Sequence, residues 1–337
     1  IQLQNQGNIN ADVKITDLLK ARKLGGYLKI AGLNLNIVNQ LLTNGEKVSG
    51  DVNANLTFAG DLTAPLLNGS FNLNQAQAMI GAMPFTINDG NIALQFHGTS
   101  STLKGQIITP ESRLDLDGDA NWKDLNNWRT RVHAKAHEFY LNMPSIAKLK
   151  VSPDVEMKAT PSTLDLAGNI DIPWGRIAVE SLPESAVSTS SDEVILDGKT
   201  KRTILLPSET KDGLVIKSDL RINIGNDVTV NAYGLNSYLE GRLLVKQEKG
   251  KLGLYGGIDL NHGRYASFGQ DLLIRKGQIS FSVMPSQPML NIEAIRNPEA
   301  MEDNNIIAGV KVIGIAEGPE VTVFSEPIMP QDQALSY

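Results

Sequence analysis

His133 and His137, with Glu138 directly after them, are the residues of this sequence whose types and spacing come nearest to a metal site. In an extended strand, positions i and i+4 share a face, so two imidazoles could converge on one ion. The face they share is the polar one, opposite Val132, Ala134 and Ala136, and no third ligand is indicated. Both are read as solvated histidines, and no metal or other cofactor is expected. His97 and His262 are isolated near turn residues. The carboxylate pair Asp115/Asp117 alternates with Leu114 and Leu116, so it points outward and reads as surface charge that discourages edge aggregation. Trp122, Trp128 and Trp174 close alternating runs, which suits strand-end packing better than ligand stacking. No nucleophile elbow, phosphate loop, dinucleotide fingerprint or zinc-helix motif occurs. Cysteine is absent, which removes disulfides and thiol chemistry together. An enzyme has no residues to stand on here, and a non-catalytic protein is expected.

The elements that carry these residues are strands. Alternation of apolar and polar residues recurs along the chain, and alternate side chains of a strand point to opposite faces. The apolar positions are Val52, Leu56 and Phe58, then Phe71 and Leu73, then Ile92, Leu94 and Phe96. They continue through Leu114 and Leu116, and through Leu164, Leu166, Ile170 and Ile172. Beyond the middle of the chain come Leu220, Ile222 and Ile224, Leu243 and Val245, and Leu252, Leu254, Ile258 and Leu260. Ile279, Phe281, Leu290 and Ile292 complete the set. About twenty-three such segments are expected, separated by turns such as Asn88-Asp89-Gly90. Helix signals are weak: Thr16 to Lys23 and Ile37 to Leu42 are candidates for one or two turns each.

Composition narrows what such strands do. Charged residues are 20% and hydrophobic residues 41%, but aromatics only 5%, so the apolar matter is mostly Leu, Ile, Val and Ala. A net charge of −6 argues against a nucleic-acid partner. No apolar run reaches the roughly 18 residues of a membrane helix. The pattern is already running at Ile1 and still running at Tyr337, which reads as a segment of something longer.

Glycines choose between architectures. Gly69, Gly168, Gly241 and Gly256 fall in phase with the apolar residues. Glycine fills no core there, whereas a sharply curled sheet needs places to bend. Strands stacked about 4.8 Å apart along one axis would span on the order of 100 Å. The expected fold is therefore an all-β, elongated curled sheet forming a hydrophobic groove (taco-like or β-helix-like), ahead of a plain sandwich. An open apolar trough of that length exceeds what a free surface tolerates and calls for an apolar guest. Lipid acyl chains fit, since burial gains about 0.8 kcal/mol per methylene without directional contacts. The apolar positions named above are the expected lining.

Repetition supports a continuous structure. Residues 67–94 align without gaps on 254–281 with seven of 28 positions identical, and 166–176 match 254–264 at six of eleven. The pattern lapses from Leu182 to Ser191 and from Pro207 to Gly213. The expected organisation is a repeating groove segment over 1–180, an irregular loop region over 181–213 and a second groove segment over 214–337.

Several stretches resemble one family. Asp61-Leu-Thr-Ala-Pro-Leu-Leu-Asn-Gly69 is similar to a recurrent turn of the AsmA-like superfamily. Gly256 through Gly277, Gln287 through Arg296 and Gly309 through Pro330 resemble the TamB carboxy-terminal domain family. The resemblance implies a protein anchored in the inner membrane of a Gram-negative bacterium, crossing the periplasm towards a TamA-type outer-membrane barrel partner, with a β-groove that moves phospholipid. It carries over no partner-contact residue, and the family's anchor and last carboxy-terminal stretch have no counterpart here. Two other readings remain at this stage. One is a scaffold that pairs strand edges with outer-membrane protein clients; the other is a transmembrane barrel, which the lack of aromatic girdles disfavours.

Overall fold

A computed structural model describes residues 2–3, 7–16, 22–179, 213–267, 269–282, 287–300, 305–327 and 335. The fold is all-β, as expected. The chain clusters into two compact units: Ile1–Leu141 with Ser152–Gly168 and Thr210–Val215, and Asn142–Val151 with Asn169–Glu209 and Ile216–Tyr337.

The first unit holds β1 (Gln2–Leu3), β2 (Gly7–Thr16), β3 (Lys23–Asn34), β4 (Lys47–Asp61), β5 (Ala64–Met79), β6 (Ile87–Gly98), β7 (Ser100–Ile108), β8 (Arg113–Asn121) and β9 (Arg129–Ala136). Three strands run from one unit into the other: β10 (Phe139–Met143), β11 (Ala147–Ala159) and β12 (Thr163–Val179). From β1 to β9 each strand pairs antiparallel with the next, and β9 pairs with the second half of β11. The second unit continues with β13 (Val215–Ala232), β14 (Leu235–Glu248), β15 (Lys251–Ser267), β16 (Gln270–Phe281), β17 (Met289–Arg296), β18 (Ile307–Ile315) and β19 (Glu320–Glu326). These too pair antiparallel in chain order. Each unit is thus a meander joined by tight turns, which antiparallel neighbours allow and a β-helical coil of parallel strands does not.

Nineteen strands are described where about twenty-three alternating segments were expected. Bulges explain much of the difference. They reset the alternation inside a strand without ending it, as between Ile224 and Val228 of the 18-residue β13. Of the helix candidates, the second is a 3-10 helix over Leu35–Leu41, capped by the Asn34 side chain accepting from the Asn36 amide. The first falls largely on residues 17–21, outside those described; Thr16 and Lys23 at its ends are strand residues paired with each other. The expected loop region over 181–213 likewise lies outside the described residues, except Gly213.

Register carries the apolar positions across the sheet in rows. One row runs Ile30, Ala54, Phe71, Leu94, Leu103, Gly118, Val132 and Met157 through adjacent strands. The row beside it, Asn53, Asn72, Ala93, Lys104, Asp117, His133 and Glu156, faces the other way. In the second unit Ile224, Gly241, Ile258, Ile279, Leu290 and Gly314 form a corresponding apolar row. A strand slipped by one residue would exchange the two faces, so alternation and register fix each other.

The sheet of the first unit rolls towards its apolar face. Trp122, just after β8, donates from Nε1 to the carbonyl of Pro65 in β5 at 2.7 Å. Three strand spacings separate β5 from β8, roughly 14 Å in a flat sheet. The same indole lies 6.2 Å from the ring of Phe96, on the apolar face. At the opposite strand ends Phe85, before β6, meets Phe139 of β10 edge-on at 5.1 Å.

The creases lie at glycines. A methyl group on Gly69 would be driven into the carbonyl oxygen of Asn55 on the neighbouring strand, and one on Gly256 into that of Arg242. Both glycines have left-handed φ, +127° and +114°. Gly168 repeats the arrangement against Asp154, with φ +145°. These three glycines occupy equivalent positions in the sequence repeats. The repeat between residues 67–94 and 254–281 extends to a bulge: Gln75 and His262, 187 positions apart like the rest of that alignment, have φ of 55° and 54°. Phenylalanine covers the gaps that glycine leaves. Among the seven described phenylalanines, four stand directly across from a glycine, as Gly26/Phe58, Gly69/Phe96, Gly256/Phe281 and Gly309/Phe324. Such aromatic cover of a bare backbone restores packing that glycine forfeits.

Candidate functional site

The apolar face is the candidate site. Of its twenty-seven expected lining residues, Val52, Leu56, Leu220, Val245 and Leu260 are buried, the other twenty-two are partly exposed, and none is fully exposed. A closed sandwich would bury nearly all of them. In the first unit, the rows on this face through β2 to β9 contain no formally charged side chain. Polar groups on the face are few. Ser101 is 8% exposed; Ser237 donates to the carbonyls of Tyr238 and Asn261; Ser218 lies 3.3 Å from the Gln247 side-chain oxygen. Such a surface offers contact without direction: methyl and methylene walls, partly open.

The family comparison bears on the same strands. The model of the TamB C-terminal domain matches residues 101–337, and that of the TamB N-terminal domain matches residues 1–73. The chain belongs to the TamB family. The translocation and assembly module subunit TamB of Haemophilus influenzae is 56% identical over 342 residues, which cover the whole of this chain. The chain spans about a quarter of that relative, 26% of its length. No helix among the described residues is long and apolar enough to cross a membrane.

The outer face of this TamB-family chain corrects the histidine reading. His133 is not simply solvated: its Nδ1 lies 2.9 Å from Asp117 and its Nε2 2.6 Å from Asp154. Arg131 on the same strand reaches Asp117 and Asp119 at 3.2 and 3.1 Å. Asp115 and Asp117 therefore do not guard an edge, because β8 is paired on both sides. They belong to a charge ladder across β8, β9 and β11. His137, by contrast, is 89% exposed. No group of metal-ligating side chains is found among the described residues. What the sequence lacked was register: only the pairing of His133 with Asp117 and Glu156 places carboxylates on either side of it.

Hydrogen bonds to Asp154 first and Asp117 second raise the pKa of His133 above its ordinary value, and His133 in turn lowers that of Asp117. A raised histidine stabilises the fold fully below its unfolded value and loses that contribution as pH rises through the folded value. The lowered aspartate acts in the opposite sense, losing its contribution as pH falls through its depressed value. Amide exchange in β8 and β9 is thus expected to speed up, after correction for intrinsic rates, between pH 6 and pH 9, and His133→Asn should flatten the profile. An equal slope in both proteins would remove His133 from the account.

The tryptophans divide. Trp122 packs at strand ends as expected, while Trp174 lies between two cations, Lys150 at 5.4 Å and Arg176 at 4.9 Å from its ring. Arg176 also donates to the Asp227 carboxylate at 2.8 Å. These are structural ties on the outer face of the second unit.

Proposed function

We propose that the apolar faces hold lipid acyl chains, and that the chain is a section of a phospholipid conduit crossing the periplasm between inner and outer membranes. The observation that carries this reading is an apolar face whose lining is mostly half-buried, with an uncharged wall through the first unit. Water-filled, such a face would be costly; filled with hydrocarbon, it gains about 25 cal/mol per Å² of surface covered. Because the contacts have no direction, a chain can slide along the wall without breaking hydrogen bonds. Residues 1–180 and 214–337 then each act as a groove section. The role is transport without catalysis. The relative's name, translocation and assembly module subunit, supports a place in a multi-subunit assembly; the proposal adds a TamA-type outer-membrane barrel as partner and an inner-membrane anchor on the full-length protein.

Native mass spectrometry of the purified chain tests the reading. Adducts with phospholipid masses are expected, and they should exchange when a second phospholipid is added in excess. Photo-crosslinking from Ile222 or Ile258 should capture the same lipids. Capture of outer-membrane protein segments from those positions, with no lipid, would favour the client-scaffold reading and sink the conduit.

A further inference from the structure

Register singles out one residue on the apolar face of the second unit. Through β13 to β19 the inward positions are aliphatic, glycine, aromatic or uncharged polar, with one formal charge among the described strands. That charge is Arg296. It follows the inward Ala294, which is 5% exposed, at the end of β17, and it pairs with the inward Leu272. Across that row Leu272 pairs with Tyr265, and Tyr265 with Leu235. Arg296 and Tyr265 thus stand two strands apart, roughly 10 Å between backbones, on the same face and at the strand ends that form a rim.

The neighbouring carboxylates are engaged elsewhere. Asp271 accepts both forks of Arg264 at 2.9 and 2.8 Å, and Glu293 is held by Arg275 and Lys311 on the outer face. Arg296 makes no ion pair or side-chain hydrogen bond among the described residues, although it is half-buried. A guanidinium on an apolar wall without a counter-charge is costly, and it is relieved by an anion arriving with the ligand. Its planar fork matches phosphate oxygens, and a tyrosine hydroxyl beside it can donate to the same group.

We infer that Arg296, with Tyr265, forms a rim site for the phosphate of a lipid headgroup whose acyl chain lies on the apolar face. This rests on the proposed lipid-holding role and adds a polar anchor to it. The ligand is accordingly an amphiphile with an anionic phosphate, not a neutral one.

The test uses two probes with the same twelve-carbon tail, dodecyl phosphate and dodecyl maltoside, each below its micellar concentration, with inorganic phosphate as competitor. The intact chain should bind dodecyl phosphate about tenfold more tightly, as a charge-assisted pair supplies. Arg296→Gln should abolish that preference and leave maltoside binding unchanged. Arg296→Lys should keep part of it, and Tyr265→Phe should lose about threefold. A preference that survives Arg296→Gln overturns the site. Binding of both probes without preference in the unaltered chain also overturns it, while leaving the apolar role intact; binding of neither refutes the apolar role itself. Inorganic phosphate that binds at Arg296 as tightly as dodecyl phosphate would identify a free-anion site and overturn the headgroup assignment.

Discussion

Leu254→Asp is expected to abolish the proposed lipid binding while the chain still folds. Leu254 lies in β15 opposite Val245, on the apolar face, and is only half-buried. In the unloaded chain a carboxylate there still reaches water, so the fold loses on the order of 1 kcal/mol through lost packing alone. Loaded, the same carboxylate would be sealed under hydrocarbon, and desolvating it costs several kcal/mol. Phospholipid occupancy by native mass spectrometry should fall at least about 100-fold, since each 1.4 kcal/mol is a factor of ten. Ile222→Arg should act similarly from β13. Asn223→Lys, one residue away but facing outward beside Asp171, should change nothing, because the new ammonium gains a carboxylate neighbour. Leu56→Asp is a different experiment: at 6% exposure it removes core, and it should unfold the first unit. Equal tolerance of charge at Leu254 and Asn223 would end the groove reading.

Gly256→Ala should cost about 3 kcal/mol of stability. Its φ of +114° is a conformation that an L side chain adopts only with strain, about 1–3 kcal/mol. The added methyl group would also meet the carbonyl oxygen of Arg242, a backbone atom that no rotamer change can move. Relieving that contact means shifting β14 against β15, which opens the crease and disturbs the Gly256/Phe281 pair. Gly257→Ala is the internal control. Its methyl group would come no nearer than 3.5 Å to Ile279 and would face outward, so a change within about 0.5 kcal/mol is expected. Urea unfolding of the two variants side by side reads the difference. Similar midpoints would mean that the glycine crease contributes nothing to the fold.

Much of this protein was legible before any coordinates. Alternation determined strand type, and it determined which side chains share a face, because a strand's side-chain period is two whatever its neighbours are. Inward glycines in phase with Leu, Ile and Val signalled bending, and the repeat around Gly69, Gly168 and Gly256 marked where. The short run from Ile37 to Leu42 foretold a helical turn, found over Leu35–Leu41. The family resemblance rested on the same segments. Other features were not legible. The bulges inside β13, β15 and β16 merge alternating runs into single strands, since a bulge and a turn look alike in a linear pattern.

Lateral placement came only from tertiary structure. His133 reads as a solvated histidine until antiparallel pairing brings Asp117 and Asp154 to its two nitrogens from 16 and 21 residues away. Arg296 shares a face with Leu290, Ile292 and Ala294 by alternation, but only register sets it in one row with Tyr265. Sequence by itself determined the two faces, because facing is a local property of extended backbone. Which residues meet across strands, and therefore where a charge is paired, stranded or available to a ligand, was decided by register, which depends on every turn and bulge between the partners.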